Sequence, residues 1–350
     1  MFTELKELYE SLADEESKMI FRQRLLFSIT GDWKYFKEML LSFRKETNTY
    51  KNFLDVLAEP EILKDKEVIL FGTGVWGRPV KEFLKYSGIA VAYYCDNNSQ
   101  KVGTLFDGIE VISAKDLEQN HKDAYIVIST EKYETEVTEQ LKACGFPREQ
   151  IIGLKFSGKK MYIDDDIVKP MENEIFVDGG CFDAESSLDF IKWGNGNVKK
   201  VYAFEPDLGN YEVCRKNFEN QCQIEYHLEQ AGLWSKKTEL CFIEEHGAGS
   251  RLGEMGTIKV PVVSLDEIVG DEKITFIKMD IEGAEMEALK GAQRTIQRCR
   301  PRLAICLYHK KEDILDIPLY VKQLLPDYKL YIRHYIPYYF DTVLYAVPNE

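Results

Sequence analysis

Val177-Asp178-Gly179-Gly180-Cys181-Phe182-Asp183 reads as a strand running into a glycine turn with a carboxylate on either side. A glycine pair there lets the backbone approach a ligand closely at the carboxyl edge of a sheet, where open α/β folds bind their ligands. The flanking acids set the sign of that ligand. Two unit charges about 4 Å apart interact by about 4 kcal/mol at an effective dielectric near 20, so this turn repels a pyrophosphate and favours a cation. Downstream, Tyr202-Ala203-Phe204-Glu205-Pro206 ends the next strand with a second acid, 27 positions after Asp178 and placed for a ribose diol. Acids at successive strand ends point to a cationic adenosine derivative. S-adenosylmethionine, with its α-ammonium and sulfonium, has that chemistry.

The chain around this turn alternates between strand and helix. Apolar runs predict strands at 174–178, 200–204, 222–228, 274–279, 302–308, 328–333 and 340–346, and helical spacing predicts helices at 184–193, 209–219, 284–297 and 312–324. Such units force a parallel sheet covered by helices. The last two strands leave room only for a turn at 336–339, so they should pair antiparallel, which sets this sheet apart from a dinucleotide fold. A polar bridge over 158–173, with Asp164-Asp165-Asp166 and Pro170, marks a domain boundary. Before it, 60–156 carries a shorter alternation with strands at 68–72, 90–95 and 125–129 and helices at 78–86 and 134–144. Residues 1–58 read as a helical extension: Leu5, Leu8 and Leu12, then Phe21, Leu25 and Phe27, recur near helical spacing. Gly31-Asp32 breaks that run, and Trp33, Phe36, Met39, Leu40 and Phe43 follow on one helical face, suited to a hairpin, a scaffold or a homo-oligomer contact. The third region is then 172–350.

Composition excludes several classes. With 350 residues, 45% of them hydrophobic and only 11 prolines and 23 glycines, the chain can bury real cores and is too long for one small module. Its 45 basic and 59 acidic residues give a net charge of −14, so the whole-molecule field opposes a non-specific grip on nucleic acid or anionic lipid. No apolar run approaches the ~20 residues of a membrane-spanning helix, and no secretory signal opens the chain; a cytoplasmic protein is expected. Eight cysteines without a Cys-x-x-Cys pair read as reduced, buried thiols rather than a disulfide frame or zinc site.

A second glycine turn, Gly72-Thr73-Gly74-Val75-Trp76-Gly77, gives a full G-x-G-x-x-G followed by Arg78. Close backbone approach, a helix amino terminus and an arginine all favour a phosphate group. Asp96, 24 positions after Gly72, ends the next strand where a carboxylate can accept from ribose hydroxyls. Gly72, Gly74, Gly77 and Asp96 are therefore candidate nucleotide-binding residues, although a tight turn needs glycine with or without a ligand.

Residues 174–346 resemble the FkbM-type family of S-adenosylmethionine-dependent methyltransferases in Asp178-Gly179-Gly180, Phe204-Glu205-Pro206, Ser264-Leu265-Asp266 and above all Ile277-Lys278-Met279-Asp280-Ile281-Glu282-Gly283-Ala284-Glu285. The resemblance implies an α/β fold of class I methyltransferase type, a Rossmann-like sheet with an antiparallel terminal hairpin, and O-methylation of a sugar, glycan or related metabolite. It implies donor contacts from Asp178, Gly179, Gly180, Phe182, Glu205, Pro206, Gln230 and Asp280. One departure stands out. Ala184 replaces a glycine the family often has just after the glycine pair, which should slightly reshape the methionine pocket. The 60–156 unit resembles the small Rossmann-like nucleotide-binding domains of sugar-modifying enzymes in cell-surface polysaccharide pathways, through Phe71-Gly72-Thr73-Gly74, Asp96-Asn97-Asn98, Gly103 and Gly108. That implies a nucleotide or nucleotide-sugar ligand, or a site retained as scaffold.

Methyl transfer from a sulfonium is an in-line displacement, so the protein must align the acceptor oxygen and take its proton. Asp280, Glu282 and Glu285 follow a strand end on the ligand edge; as plain structural residues they would cap the next helix. His309 and His334 end two further strands, and an imidazole with an ordinary pKa near 6.5 suits a general base. His121, His227 and His246 have no comparable context. Asp280, Glu282 and His309 have the chemistry to ligate a divalent cation, but their spacing matches no recognised metal motif, so none is assigned and metal dependence stays open. The segment 247–253 is expected to shape an acceptor pocket. Two competing readings are an NAD-dependent sugar-nucleotide oxidoreductase or epimerase built on the first glycine turn, and a non-catalytic nucleotide-binding scaffold.

Overall fold

The computed structural model describes residues 2–43, 52–130, 133–154, 159–243, 251–252, 258–336 and 338–349. They form two units, one of Met1–Ile29, Lys159–Tyr335 and Phe340–Glu350, the other of Thr30–Gly158 and Ile336–Tyr339.

The larger unit is built on a seven-stranded sheet in the order Tyr328–His334, Thr342–Pro348, Arg302–Cys306, Phe276–Met279, Glu174–Gly179, Val198–Phe204, Glu225–Glu229. Phe276–Met279 and Arg302–Cys306 are buried at every position, as a strand covered on both faces must be. The predicted antiparallel end is present, with Thr342–Pro348 running antiparallel both to Arg302–Cys306 and to Tyr328–His334. Phe190, on the helix Glu185–Trp193, stacks on Phe176 at a centroid distance of 4.0 Å and fixes that helix to the sheet. The helix predicted over 284–297 is two, Glu285–Gly291 and Gln293–Cys299.

Register positions the site. Lys278 pairs with Asp178 and Met279 with Gly179, while Gly179 also pairs with Phe204. The chain therefore leaves three neighbouring strands side by side, at Gly180, Glu205 and Asp280. A four-stranded sheet, in the order Gly232–Leu233, Ile258–Val263, Thr238–Ile243, Arg251–Leu252, is an element that the sequence reading missed. Of the segment 247–253 expected to shape an acceptor pocket, only 251–252 are among the described residues, and His246 also lies outside them.

The extension expected as one piece over 1–58 is divided. The helices Phe2–Ser11 and Glu15–Thr30 belong largely to the larger unit, because the turn between them covers the edge strand Tyr328–His334. Ala13 N–H donates to the Leu330 carbonyl at 2.9 Å, Ile332 N–H donates to Ser17 Oγ at 2.9 Å, and Arg333 Nη2 reaches Asp14 Oδ2 at 2.6 Å. An unpaired sheet edge is thereby capped.

The other unit has a six-stranded sheet in the order Leu105–Phe106, Ile109–Ile112, Tyr93–Cys95, Val68–Phe71, Tyr125–Ile128, Ile151–Ile152, parallel except for the hairpin at its edge. It also holds the helices Trp33–Ser42 and Phe53–Ala58, the first capped by Asp32, which accepts from Lys34 N–H at 2.9 Å. No helix among the described residues is long and apolar enough to cross a membrane. Cys95, Cys144, Cys181, Cys214, Cys222, Cys299 and Cys306 are free thiols.

Candidate active site

Two glycines make the turn after Glu174–Gly179 possible. A Cβ on Gly180 would lie 1.9 Å from the Asp280 carbonyl oxygen, and its φ of +74° is one that side chains disfavour. A Cβ on Gly179 would meet Leu233 at 2.9 Å. Beyond them Phe182 and Ala184 hold φ of +51° and +69°. The alanine thus occupies a left-handed position that glycine takes more easily. Glu282, with φ +55°, is another left-handed residue on the same sheet edge. Strained backbone of this kind concentrates at functional sites.

A cavity of about 440 Å³ opens at this edge, lined among others by Tyr162, Gly180, Phe182, Asp183, Lys278 and Asp280. Of the two acids flanking the turn, Asp183 is in its wall and Asp178 is not, which corrects the expectation that Asp178 lines the ligand pocket. The Asp178 side chain is 0% exposed. Its Oδ1 lies 3.0 Å from Lys278 Nζ, and its Oδ2 accepts from Ser186 Oγ and Ser187 Oγ, each at 2.6 Å. Lys278 also donates to the carbonyls of Gly179 at 3.0 Å and Gly180 at 2.7 Å. Burial alone would lower its pKa, but the charges of Asp178 and Asp280 hold it above the ordinary lysine value. A lysine in the buried run Phe276-Ile277-Lys278-Met279 needs a charged partner, and that signal was in the sequence.

Asp183, Glu185 and Asp189 line the cavity as well, and the carboxylate at its buried end is Asp280. Its Oδ2 accepts from Tyr162 Oη at 2.7 Å and its Oδ1 from Tyr308 Oη at 2.8 Å. His309 Nε2 lies 3.3 Å from Asp280 Oδ1 and 3.6 Å from Glu282 Oε2, while His309 Nδ1 lies 2.8 Å from Glu285 Oε1. Burial would raise the Asp280 pKa, yet His309, Lys278 and Tyr162 hold it well below the usual carboxylate range. Burial would lower the imidazole pKa, yet Glu285 and Asp280 raise it well above 6.5. An imidazole held this way is a cation near neutral pH, which donates protons rather than accepting them. Asp280, Glu285 and His309 also offer ligand atoms within 4.8 Å of one another, a donor set compatible with a divalent cation.

Glu205 ends Val198–Phe204 as expected. It accepts from Phe182 N–H at 3.1 Å and Asp207 N–H at 3.0 Å, and burial, partly offset by those two bonds, pushes its pKa up to about 7. It therefore sits behind the glycine turn, next to the cavity-lining Phe182. Pro206 follows it, half-buried, and Gln230 is exposed after Glu225–Glu229. His334 is drawn to another partner: it is buried on the terminal hairpin with Nδ1 2.9 Å from Thr342 Oγ1.

In the other unit, Asp96 serves the glycine turn itself. It accepts from Thr73 N–H at 3.0 Å, from the Thr73 hydroxyl and from Asn98 N–H at 2.8 Å, and Lys101 Nζ lies 3.6 Å away. A Cβ on Gly77 would crowd the Gly72 carbonyl at 3.0 Å and Phe106 at 3.1 Å, so packing accounts for that glycine.

Residues 179–328 match the family model described as Methyltransferase FkbM domain, and residues 64–152 match the one described as C2185-like, N-terminal. No curated protein matches the chain. Among solved structures, the methyltransferase FkbM from Methylobacillus flagellatus KT is 20% identical over 90% of this chain and 100% of its own, with a TM-score of 0.51, and shares the fold. An rRNA methylase from Streptococcus thermophilus is 15% identical over 53% of this chain and 91% of its own, TM-score 0.36. The M. capricolum TrmK in complex with S-adenosyl-homocysteine is 13% identical over 51% of this chain and 65% of its own, TM-score 0.33.

Proposed function

We propose, from the premise that residues 179–328 are a methyltransferase domain of the FkbM family, that this protein transfers a methyl group from S-adenosylmethionine to a hydroxyl of a sugar, glycan or related metabolite. The observation that carries the reading is the cavity bounded by the Gly180–Phe182 turn and Asp280, with Glu205 directly behind the turn. A thioether or sulfonium nucleoside fits these groups: backbone at the turn for the amino-acid end, Glu205 for the ribose diol, and the Asp280 carboxylate for the sulfonium. In the transfer step the acceptor oxygen attacks the methyl carbon as the C–S bond breaks, and the hydroxyl proton leaves to a carboxylate. In this reading Asp280 takes that proton as the sulfonium charge is lost, although Lys278, His309 and Tyr162 make it a weak base, and His309 orients it as a cation. Asp96 and Gly77 of the amino-terminal glycine turn already have structural duties, and the proposal assigns that turn no ligand.

Calorimetry with S-adenosylhomocysteine tests the reading. The wild type should bind it, and Glu205→Ala should weaken binding by about 30- to 100-fold, the effect of losing a hydrogen bond to a charged group. Ribose hydroxyls donate to the ionised carboxylate, so with the Glu205 pKa pushed up to about 7 affinity should fall as pH drops below that value. The limiting slope is about tenfold per pH unit. Glu205→Gln should abolish the slope. A wild type that ignores the nucleoside at every pH rules the proposal out.

A further inference from the structure

The connector at 159–168 precedes the residues matched to the methyltransferase domain, yet it enters the cavity. Its Tyr162 is held from several sides. The hydroxyl donates to Asp280 Oδ2 at 2.7 Å, and the backbone N–H donates to Tyr345 Oη at 2.8 Å. The Tyr345 hydroxyl lies 2.6 Å from that of Tyr335, which donates to the buried Asp164 at 3.2 Å. This chain of hydroxyls ties the connector to the terminal hairpin at two points two residues apart. At the first of these points Tyr162 adopts φ +69°, a conformation that a bulky aromatic residue keeps only when its surroundings impose it. Its ring also lies over Lys278, with Nζ 5.1 Å from the centroid.

A carboxylate has about four acceptor sites. Tyr162 and Tyr308 take one on each oxygen of Asp280, and His309 Nε2 lies against Oδ1. Two rigid phenols bound to opposite oxygens fix the plane of the group as well as its position. Both hydroxyls stay protonated, because burial and the nearby carboxylate raise their pKa values well above 10. We propose that Tyr162 is a positioning residue of the transfer site, holding Asp280 at the cavity wall as the counter-charge to the donor's sulfonium, so that the site tells the charged donor from its neutral product. This rests on the methyl-donor reading above. Most of the domain's own strand ends are set by sheet register; this constraint reaches Asp280 from a segment 118 residues earlier in the chain.

The test needs no acceptor. Affinities for S-adenosylmethionine and S-adenosylhomocysteine are measured by calorimetry on the same preparation of the full chain, so any loss of folded fraction cancels in their ratio. Tyr162→Phe keeps the ring and removes only the hydroxyl. Relative to wild type it should shift the ratio about fivefold or more toward the neutral product, as expected for a lost hydrogen bond to a charged group. Asp280→Asn should shift it at least as far. A ratio in Tyr162→Phe within twofold of wild type, with the two affinities unchanged or lowered by one common factor, overturns the proposal. So does an Asp280→Asn variant that keeps the wild-type ratio. If the wild type binds neither nucleoside, the methyl-donor reading falls and takes this inference with it; if it binds both and only the ratio fails to move, this inference falls alone.

Discussion

Replacing Lys278 by methionine should lower the unfolding free energy of the larger unit by about 3–5 kcal/mol, the usual loss when one partner is removed from a buried ion pair. Lys278 is 2% exposed and Asp178 fully buried, 3.0 Å apart. Without the ammonium, Asp178 keeps only the hydroxyls of Ser186 and Ser187, and the carbonyls of Gly179 and Gly180 lose their donor. The uncompensated charge accounts for most of the expected loss. A double variant, Lys278→Met with Asp178→Leu, should therefore recover a large part of it, since a buried pair exchanged for apolar groups of similar volume is often close to neutral. Denaturant midpoints at unchanged slope measure both. A single variant that loses under about 1 kcal/mol, or a double variant no more stable than the single, would mean that the pair does not hold this turn in place.

That pair also shows where sequence reading stops. The strands Glu174–Gly179, Phe276–Met279 and Arg302–Cys306 were legible because buried parallel strands are short apolar runs bounded by turn residues. The antiparallel end was legible from connector length alone. Gly180, Glu205 and Asp280 were recognisable as neighbours because each follows a predicted strand of one sheet. The register that sets Lys278 against Asp178 was not legible, so Asp178 was read as a ligand contact when its charge is matched internally. Thr238–Ile243 and Ile258–Val263 were overlooked because an added antiparallel sheet interrupts the alternation from which the rest was inferred. Tyr162 had no signal at all: its hydroxyl meets Asp280 across 118 residues, and nothing in Lys160-Met161-Tyr162-Ile163 announces that meeting.

His309→Gln should cost a similar amount, about 3–5 kcal/mol near pH 6, and the cost should depend on pH in a definite direction. The imidazole sits against Glu285, which is 0% exposed, on one side and Asp280 and Glu282 on the other. Burial opposes its charge, but Glu285 and Asp280 outweigh burial and raise its pKa well above 6.5. A group whose pKa is higher in the folded state binds more protons there than in the unfolded chain once the pH passes the unfolded value. Its stabilising contribution is therefore fully present below about pH 6.5 and is lost progressively as pH rises through the folded value. Glutamine cannot be protonated, so the stability gap between wild type and His309→Gln should be widest and flat below about pH 6.5 and should narrow steadily above it. Denaturant midpoints for both proteins at several pH values from about 6 to 10 read that gap directly. A gap that is constant over this range, or that widens with pH, would show a neutral imidazole at His309. The cation assigned to it would then be wrong, and His309 rather than Asp280 would be the group free to take the acceptor's proton.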